Sequence, residues 1–509
     1  MAKNENSLTQ KEIDRLVMEM NTPRPEDAEE ARRQEAVRAA EGNSNEDSPV
    51  ALFNAEFTEA GNADRFGMEH AGEYLYNNSL GWLVWNGQKW AEGDGMNEYV
   101  RDQANDFTRL MLSDALRLAA GNVDSTGRVP RDIDELMKHA RRSRNRKSID
   151  AIVSLTQAHL YKPASVFDAD PNILNTPAGI VDLRTGDTKP HDREAYCTKI
   201  TKAAPSNKGM EEWVRFVNLI CCNDPDLVCY LQEVTGAALF GRVVTEGLYI
   251  AVGDGFNGKS TFYNAVRLTL GDYADTLDSG VLTDDRNNKD AKLATVRGKR
   301  LMVCGEIREG AAMSESFIKQ ITSTDHIQIK MLYKNPEEIR PTHTICLHTN
   351  HLPKIRSMDN GIWRRVHPIP FNATMPKGRD TIKNYAEQLA ARCGGAILQW
   401  AIDGAIYCAA NSFNIEEPAA VAELRERYKA GQDRVRSFLA EYCIEDATTQ
   451  EGAGRLYQAY KAYCLTIDEK AKHIEDFKAD MRRLGYRWTK DASGAHWQGL
   501  CLDPSRAPC

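Results

Sequence analysis

The apolar positions along this chain recur with one of two periods, and the switches between them mark out its elements. Residues 1–50 carry neither period: EDAEEARRQEAVRAAEGNSNED is rich in Glu, Arg, Ala and Asn, which predicts a mobile polar tail unable to build a core. From Ala51 aromatic side chains appear. LGWLVWNGQKW (Leu80–Trp90) alternates apolar and polar positions around Asn86-Gly87, a pair that tolerates the positive φ of a tight turn, and so predicts a hairpin. Helical spacing follows over 96–120 and 131–160. NILNTPAGIVDLRTGDTKPH (Asn172–His191) predicts two short strands joined by turn residues, and Glu211–Cys222 and Pro225–Leu239 predict two helices. Residues 51–208 therefore read as an α+β N-terminal domain and 209–245 as a helical collar.

From 246 to 372 strand patterns alternate with helical ones, the signature of an α/β layer fold. A helical extension, 373–428, contains a long helical stretch at 380–411. The last unit, 429–509, has helical patterns at Arg434–Cys443, Leu456–Thr466 and Ile474–Leu484, then strand-like pieces at Tyr486–Lys490 and His496–Leu502 around DASGA. Three helices and a hairpin predict a winged helix, either a DNA contact, the favoured reading, with Lys478, Arg482, Arg483 and Arg487 supplying the positive charge that it requires, or a protein docking module.

Composition bounds the rest. A chain of 509 residues, 42% hydrophobic and 27% charged, has the make-up of a soluble protein of two to four domains. No apolar run is long enough for a membrane span, and the first residues lack a secretory core, so a cytosolic location is expected. The 12 cysteines are scattered, without a C-x-x-C pair, and read as reduced thiols rather than metal ligands. The most basic segment, RRSRNRK (Arg141–Lys147), is either a solvated helix face, the plainer reading, or a nucleic-acid contact.

The strongest chemical signal is GDGFNGKS, Gly253–Ser260, preceded by the apolar run Leu248–Val252 and followed by Phe262, Ala265, Val266 and Leu270 at helical spacing. It matches G-x-x-x-x-G-K-[ST] in the required order of strand, loop and helix. Gly253, Gly255 and Gly258 let the backbone of Gly253, Asp254, Gly255, Phe256, Asn257, Gly258, Lys259, Ser260 and Thr261 curl around phosphate oxygens, and the following helix presents its positive end to them. Lys259 then places its charge on the β- and γ-phosphates and Ser260 ligates Mg²⁺, so a nucleoside triphosphate with Mg²⁺ is the expected ligand, and the loop alone does not separate a motor from a kinase or a GTPase.

Other parts follow. Leu301–Cys304 is a second buried strand leading to Glu306, placed to polarise water and help hold Mg²⁺. A third strand, Thr344–Leu347, runs into Asn350, suited to report on the γ-phosphate. Arg364 and Arg365 in GIWRRVHPIPF are either ordinary ion-pair partners or cations for a neighbour's site. HIQIKMLYKNPEEIRPT (His326–Thr342) predicts a hairpin that carries Lys330 and Lys334 to phosphates. Asp168 and Asp170 in FDADPNI, and His343, His348 and His351, are weak candidates for metal binding.

In this order WLVWNGQKW, NILNTPAGIVDLRTG, GDGFNGKST, the strand to Glu306, FIKQITSTD, LHTNHLPKI, GIWRRVHPIPF and GGAILQWAIDG resemble the superfamily 3 helicases. Specifically, they resemble the phage and plasmid primase-helicase branch related to the poxvirus primase-helicase ATPase, and the likeness runs from about Trp82 to Tyr407. The resemblance implies an AAA+-like P-loop ATPase core, a hexameric homo-oligomer and ATP-driven 3′ to 5′ unwinding in phage, prophage or plasmid replication. It assigns Lys259 and Ser260 to the Walker A pair, Glu306 to the Walker B acid, Asn350 to the sensor, and Arg364 or Arg365 to the arginine finger. It places Lys330 and Lys334 in the hairpin that grips DNA.

Single-stranded DNA in the ring channel, a fork or origin duplex, and a primase or replication protein are the implied partners, in the cytosol of a bacterial host and without a membrane. A net charge of −8 does not oppose this, because a ring needs cations only along its channel. The chain departs from the family pattern at Gly305 and Arg308 around Glu306, and at Ser323-Thr324-Asp325 where relatives carry Gly-Gly-Asp. A same-fold ATPase acting on RNA or in defence, and a non-catalytic origin-binding scaffold, are the other classes.

Overall fold

A computed structural model describes residues 56–93, 95–123, 128–283, 294–329, 337–375, 383–467, 469–492 and 494–506. They fall into two compact units. One holds the residues up to Ala169 with His191–Lys199, the other Asp170–Pro190 and everything from Ile200.

The first unit packs helices α1 (Glu59–Glu69), α2 (Met96–Gly121), α3 (Arg131–Ser143) and α4 (Arg146–His159) with an antiparallel sheet of β1 (Tyr74–Asn77), β2 (Gly81–Trp85) and β3 (Trp90–Ala91). The expected turn joins β2 and β3: Asn86 N–H donates to Lys89 O at 3.1 Å, and Gly87 takes φ 90°. Phe66, Trp82, Val100, Phe107 and Ile152 are buried together. One helical pattern over 131–160 becomes two helices because Asn145, at φ −77° and ψ 153°, leaves the helical region and caps α4 by accepting from Ser148 N–H at 2.9 Å.

The second unit begins with the strands β4 (Ile173–Thr176), β5 (Gly179–Asp182) and β6 (Thr188–Lys189). The sequence pattern placed these in a domain ending at 208. They pack instead with the helices and sheet that follow, because Leu174, Val181 and Leu183 are buried in one core with Trp213 and Tyr273.

At the centre of this unit lies a parallel sheet of β7 (Leu248–Val252), β8 (Ala274–Leu277), β9 (Leu301–Cys304), β12 (Thr344–Thr349) and β13 (Val366–Pro370), in the order β13-β7-β12-β9-β8. LYIAV and LMVC are apolar throughout because both faces of the sheet are covered. Alternate side chains divide between two cores. Tyr249, Ala251, Val303, Cys346 and Ile369 pack with α5 (Met210–Ile220), α6 (Pro225–Ala237), α7 (Lys259–Leu270) and a long helix at Tyr385–Ala410. Leu248, Ile250, Met302, Cys304, Ile345 and Leu347 face the other way, toward Ile318, Trp363 and Tyr428. Between β9 and β12, β10 (Ile327–Ile329) pairs antiparallel with β11 (Glu337–Ile339), as the two arms of the expected hairpin should.

The last part of the unit gathers helices Arg434–Tyr442, Ala453–Thr466 and Ile474–Arg483 over an antiparallel sheet of β14 (Cys443–Gly452), β15 (Arg487–Asp491) and β16 (Gly494–Leu502), ordered β14-β16-β15. Phe438, Tyr460, Phe477 and Trp497 form its core. Strand β14 was not expected: CIEDATTQEG is an exposed, acidic edge that lacks apolar alternation, and its pairing shifts register between Glu445 and Gln450.

Candidate active site

In parallel register, Leu347 stands beside Cys304 and Thr349 beside Val252, so β7, β9 and β12 all end on one side of the sheet. Ligands of open α/β sheets bind beyond such carboxyl ends. The glycine-rich loop 253–258 follows β7 there. Its fold is fixed from below: Phe371 N–H donates to Val252 O at 2.8 Å, and Asn257 Nδ2 donates to Phe371 O at 2.9 Å. Gly253 has no room for a β-carbon, which would stand 2.2 Å from Phe371 O. Gly258 combines φ +83° with a β-carbon position 2.5 Å from Ile220 Cγ2. Phe256 sits at φ 49° with its ring exposed. Gly258 is the N-cap of α7, whose first turn lacks an acidic side chain and leaves its amide dipoles uncompensated.

Three side chains from the three strand ends join above this loop. Lys259 is only 5% exposed, and its Nζ donates to Gly253 O at 2.6 Å, Asn257 Oδ1 at 2.9 Å and Asn350 Oδ1 at 3.1 Å. Asn350 Nδ2 in turn donates to Glu306 Oε1 at 2.7 Å. Burial pushes the Lys259 ammonium below its usual range, against the opposing pull of Glu306 and Asp254. These groups line a cleft of about 620 Å³ with Gly255, Ser260, Thr261 and His348. Its volume suits a small-molecule ligand. Burial lowers the His348 imidazole, with Lys259 adding to the effect and Glu306 opposing it.

The rest of the cleft is apolar, from Phe216 and Leu219 on α5, Phe256, Met375 and Tyr385. Phe256 belongs to the expected loop, whereas sequence reasoning missed Phe216, Leu219, Met375, Tyr385 and His348 as lining residues. Phe216 falls in the helical stripe of α5 and Tyr385 starts a helix far along the chain, so both read as ordinary core.

The two arginines stand elsewhere. Leu248 N–H donates to Arg365 O at 2.6 Å, so the pair precedes β13 at the end of β7 remote from the glycine loop. Glu246 Oε2 accepts from Arg364 at 2.8 Å and from Arg365 at 2.6 Å. The side chain of Arg365 is 8% exposed and also donates to Gly361 O at 2.8 Å, whereas that of Arg364 is 65% exposed.

Lys330 and Lys334 lie outside the described residues. In the C-terminal helix and sheet, Arg483 is held 2.7 Å from Asp433 and 3.1 Å from Asp480, and Lys478 2.8 Å from Glu475. Arg482 and Arg487 are exposed, with no carboxylate in ion-pair range among the described residues. Asp168 accepts from Thr198 N–H and Oγ1, at 2.9 and 2.5 Å, and Asp170 from Asn172 N–H at 2.9 Å. His343 is fully buried.

Residues 63–222 match a family described as "D5 N terminal like", and 251–365 a family of unknown function (DUF5906). A protein of Acanthamoeba polyphaga mimivirus named "Putative helicase L207/L206" is 25% identical over 332 residues, covering 60% of this chain and 33% of its own length. "Putative helicase 184R" of Invertebrate iridescent virus 6 is 22% identical over 466 residues, 76% of this chain and 47% of its own. The resemblance to the phage-type primase-helicases holds. The chain spans less than half the length of either viral relative. Among solved structures, the apo NrS-1 C terminal region (305-718) is similar over 90% of this chain and 100% of that one, at 11% identity and a TM-score of 0.46. A second form of that region covers 84% and 96% at 10% identity and a TM-score of 0.47. Among the described residues no helix is long and apolar enough to cross a membrane.

Proposed function

We propose that this chain is the motor of a ring-forming DNA helicase, an AAA+-like P-loop ATPase that hydrolyses ATP with Mg²⁺ to move along DNA. One observation carries the reading: Lys259, Asn350 and Glu306 form a hydrogen-bonded series beside a glycine loop at the ends of three parallel strands. A cation for phosphate, an amide for the γ-phosphoryl group and a carboxylate for water are the groups that phosphoryl transfer needs.

In this mechanism the backbone amides of the loop and of the first turn of α7 donate to phosphate oxygens, and Lys259 turns its ammonium from Gly253 O toward the β- and γ-phosphates. Glu306, with Asn350, orients a water in line with the γ-phosphorus. The water oxygen bonds to phosphorus as the bond to the bridging β–γ oxygen breaks, its proton passes to Glu306 or a phosphate oxygen, and ADP leaves with the bond's electron pair. The hydroxyl of Ser260 and the carboxylate of Glu306 both line the cleft and are hard oxygen donors that suit Mg²⁺. When bound, Mg²⁺ neutralises charge on the β- and γ-phosphate oxygens.

Arg364 supports action in trans. Arg364 stands beside the start of β7 and the glycine loop follows the other end of that strand, roughly 13 Å away for four steps of 3.3 Å, so Arg364 is remote from its own cleft. A neighbouring copy would receive it. The three C-terminal helices and their paired strands support a winged helix, where Arg482 and Arg487 are the cations available for duplex phosphates.

The test is ATP hydrolysis with and without polynucleotide, followed by strand displacement on forked DNA and forked RNA. DNA-stimulated turnover and displacement of the DNA fork are expected. Failure to hydrolyse any nucleotide with Mg²⁺ and polynucleotide present would end the motor reading.

A further inference from the structure

Arg141, Arg142, Arg144, Arg146 and Lys147 put five cations into seven residues at the turn from α3 to α4. Among the described residues only Arg146 has an ion pair, 3.6 Å from Asp150, and that carboxylate already holds Arg101 at 2.7 Å. Earlier on α3 the cations are matched: Arg131 lies 3.1 Å from Glu135 and Lys138 2.8 Å from Asp134. In a chain with a net charge of −8 acids are not scarce, yet among the described residues none is in ion-pair range of Arg141, Arg142, Arg144 or Lys147.

Helix electrostatics explain only half of the cluster. Arg141 and Arg142 sit in the last turn of α3, where cations are favoured. Arg146 and Lys147 stand in the first turn of α4, where they oppose the dipole and no acidic side chain compensates.

The turn is also fastened from beneath. Ser143 and Ser148 are 2% and 5% exposed. Asn62 Nδ2 donates to Ser143 Oγ at 2.9 Å, Asn62 Oδ1 meets His139 Nε2 at 3.0 Å, and Ser148 Oγ donates to Glu59 Oε1 at 3.3 Å. A satisfied polar network holds the backbone, so a ligand meets cations on a fixed base and less ordering is needed on binding.

We infer that this turn is a phosphate-gripping surface for nucleic acid. It rests on the nucleic-acid half of the proposed function and not on the ATP chemistry. RRSRNRK has no apolar side chain, and Ile133, Leu136, Met137 and Ala140 of α3 are buried, so the apolar face that insertion into a lipid surface needs is missing. The contact is to the sugar-phosphate backbone and is independent of base sequence.

The test measures binding of the full chain to a fluorescent single-stranded oligonucleotide across a salt series, without nucleotide. Arg141→Gln/Arg144→Gln/Lys147→Gln is expected to weaken binding and lower the slope of log affinity against log salt by about 2, at roughly 0.7 per lost phosphate contact. Arg131→Gln/Lys138→Gln, which removes cations already paired on the same helix, is expected to leave the slope unchanged. If the triple variant melts early, Lys147→Gln alone keeps the test readable through a slope lower by about 0.7. An unchanged slope in a folded triple variant, an equal loss in the paired control, or displacement of the oligonucleotide by phosphatidylserine vesicles overturns the inference. Wild-type protein that binds no DNA at all fails the proposed function as well.

Discussion

Asn350 donates its side-chain amide to Glu306 at 2.7 Å while its carbonyl accepts from Lys259 at 3.1 Å. One neutral side chain thus orients a cation and an anion, and its amide has a single sensible direction. Replacing Asn350 by Ala removes both bonds and leaves the glycine loop intact. Turnover of ATP is expected to fall on the order of a hundredfold with little change in KM, as when a single donor to a developing oxyanion is lost. Steady-state hydrolysis checks it, and a change confined to KM would place Asn350 in binding alone.

Glu306→Gln separates charge from shape. The amide oxygen still accepts from Asn350, but it cannot polarise water as a carboxylate does. Hydrolysis is expected to drop by about a thousandfold while a fluorescent ATP analogue binds at least as tightly as in the wild type. Lys259→Ala, in contrast, should lose both activities.

The two arginines should behave differently. Arg365→Ala takes from Glu246 one of its two guanidinium partners, loses the bond to Gly361 O and empties a buried pocket, and is expected to cost about 1–3 kcal/mol of stability in urea titration. Arg364→Ala exposes nothing new and should melt close to the wild type, yet lose turnover. Mixing it with Lys259→Ala should restore some activity in mixed assemblies, and no rescue at any ratio counts against a finger acting in trans.

Burial lowers the His343 imidazole to about 4, with the backbone of Ile321 the only opposing influence. The unfolded chain therefore takes up this proton near pH 6.5, before the folded protein does. Stability from this residue is complete above pH 6.5 and is lost as the pH falls toward 4, by about 3 kcal/mol. His343→Phe should flatten that part of the acid dependence relative to the wild type. Parallel urea midpoints between pH 7 and 4.5 would show the opposite.

In the C-terminal helix and sheet, Arg483→Ala strands Asp433, which is 2% exposed and also caps its helix by accepting from Arg436 N–H. A lower melting temperature is the expected result. Arg487→Ala should melt normally and instead reduce the salt slope of duplex DNA binding by about 1.

What the sequence disclosed depended on whether the signal was local. Strand, glycine loop and helix at 248–270 were legible because an apolar run, a spaced glycine set and a helical stripe adjoin one another. The paired dipeptide Arg364-Arg365 was not separable, since only the packing turns one side chain inward and leaves its neighbour outside. Strand β14 escaped because an exposed edge needs no apolar alternation. Two strands were expected where three stand at 173–189, and they were assigned to the wrong side of a boundary. Adjacency in sequence says nothing about which core receives Leu174 and Val181. The apolar wall of the cleft comes from helices more than a hundred residues apart, beyond the reach of any motif.

Strand β7 carries the glycine loop at one tip and the Glu246 clasp on Arg364 just before the other, with an uninterrupted extended backbone between them. Such a rod has no hinge. If copies close into a ring, each protomer would hold one jaw of its own cleft and one jaw of the next on the same stiff shaft. Tightening around a triphosphate at one interface would then tug the adjoining interface mechanically, and the order in which the sites fire would be set by geometry as well as by nucleotide supply.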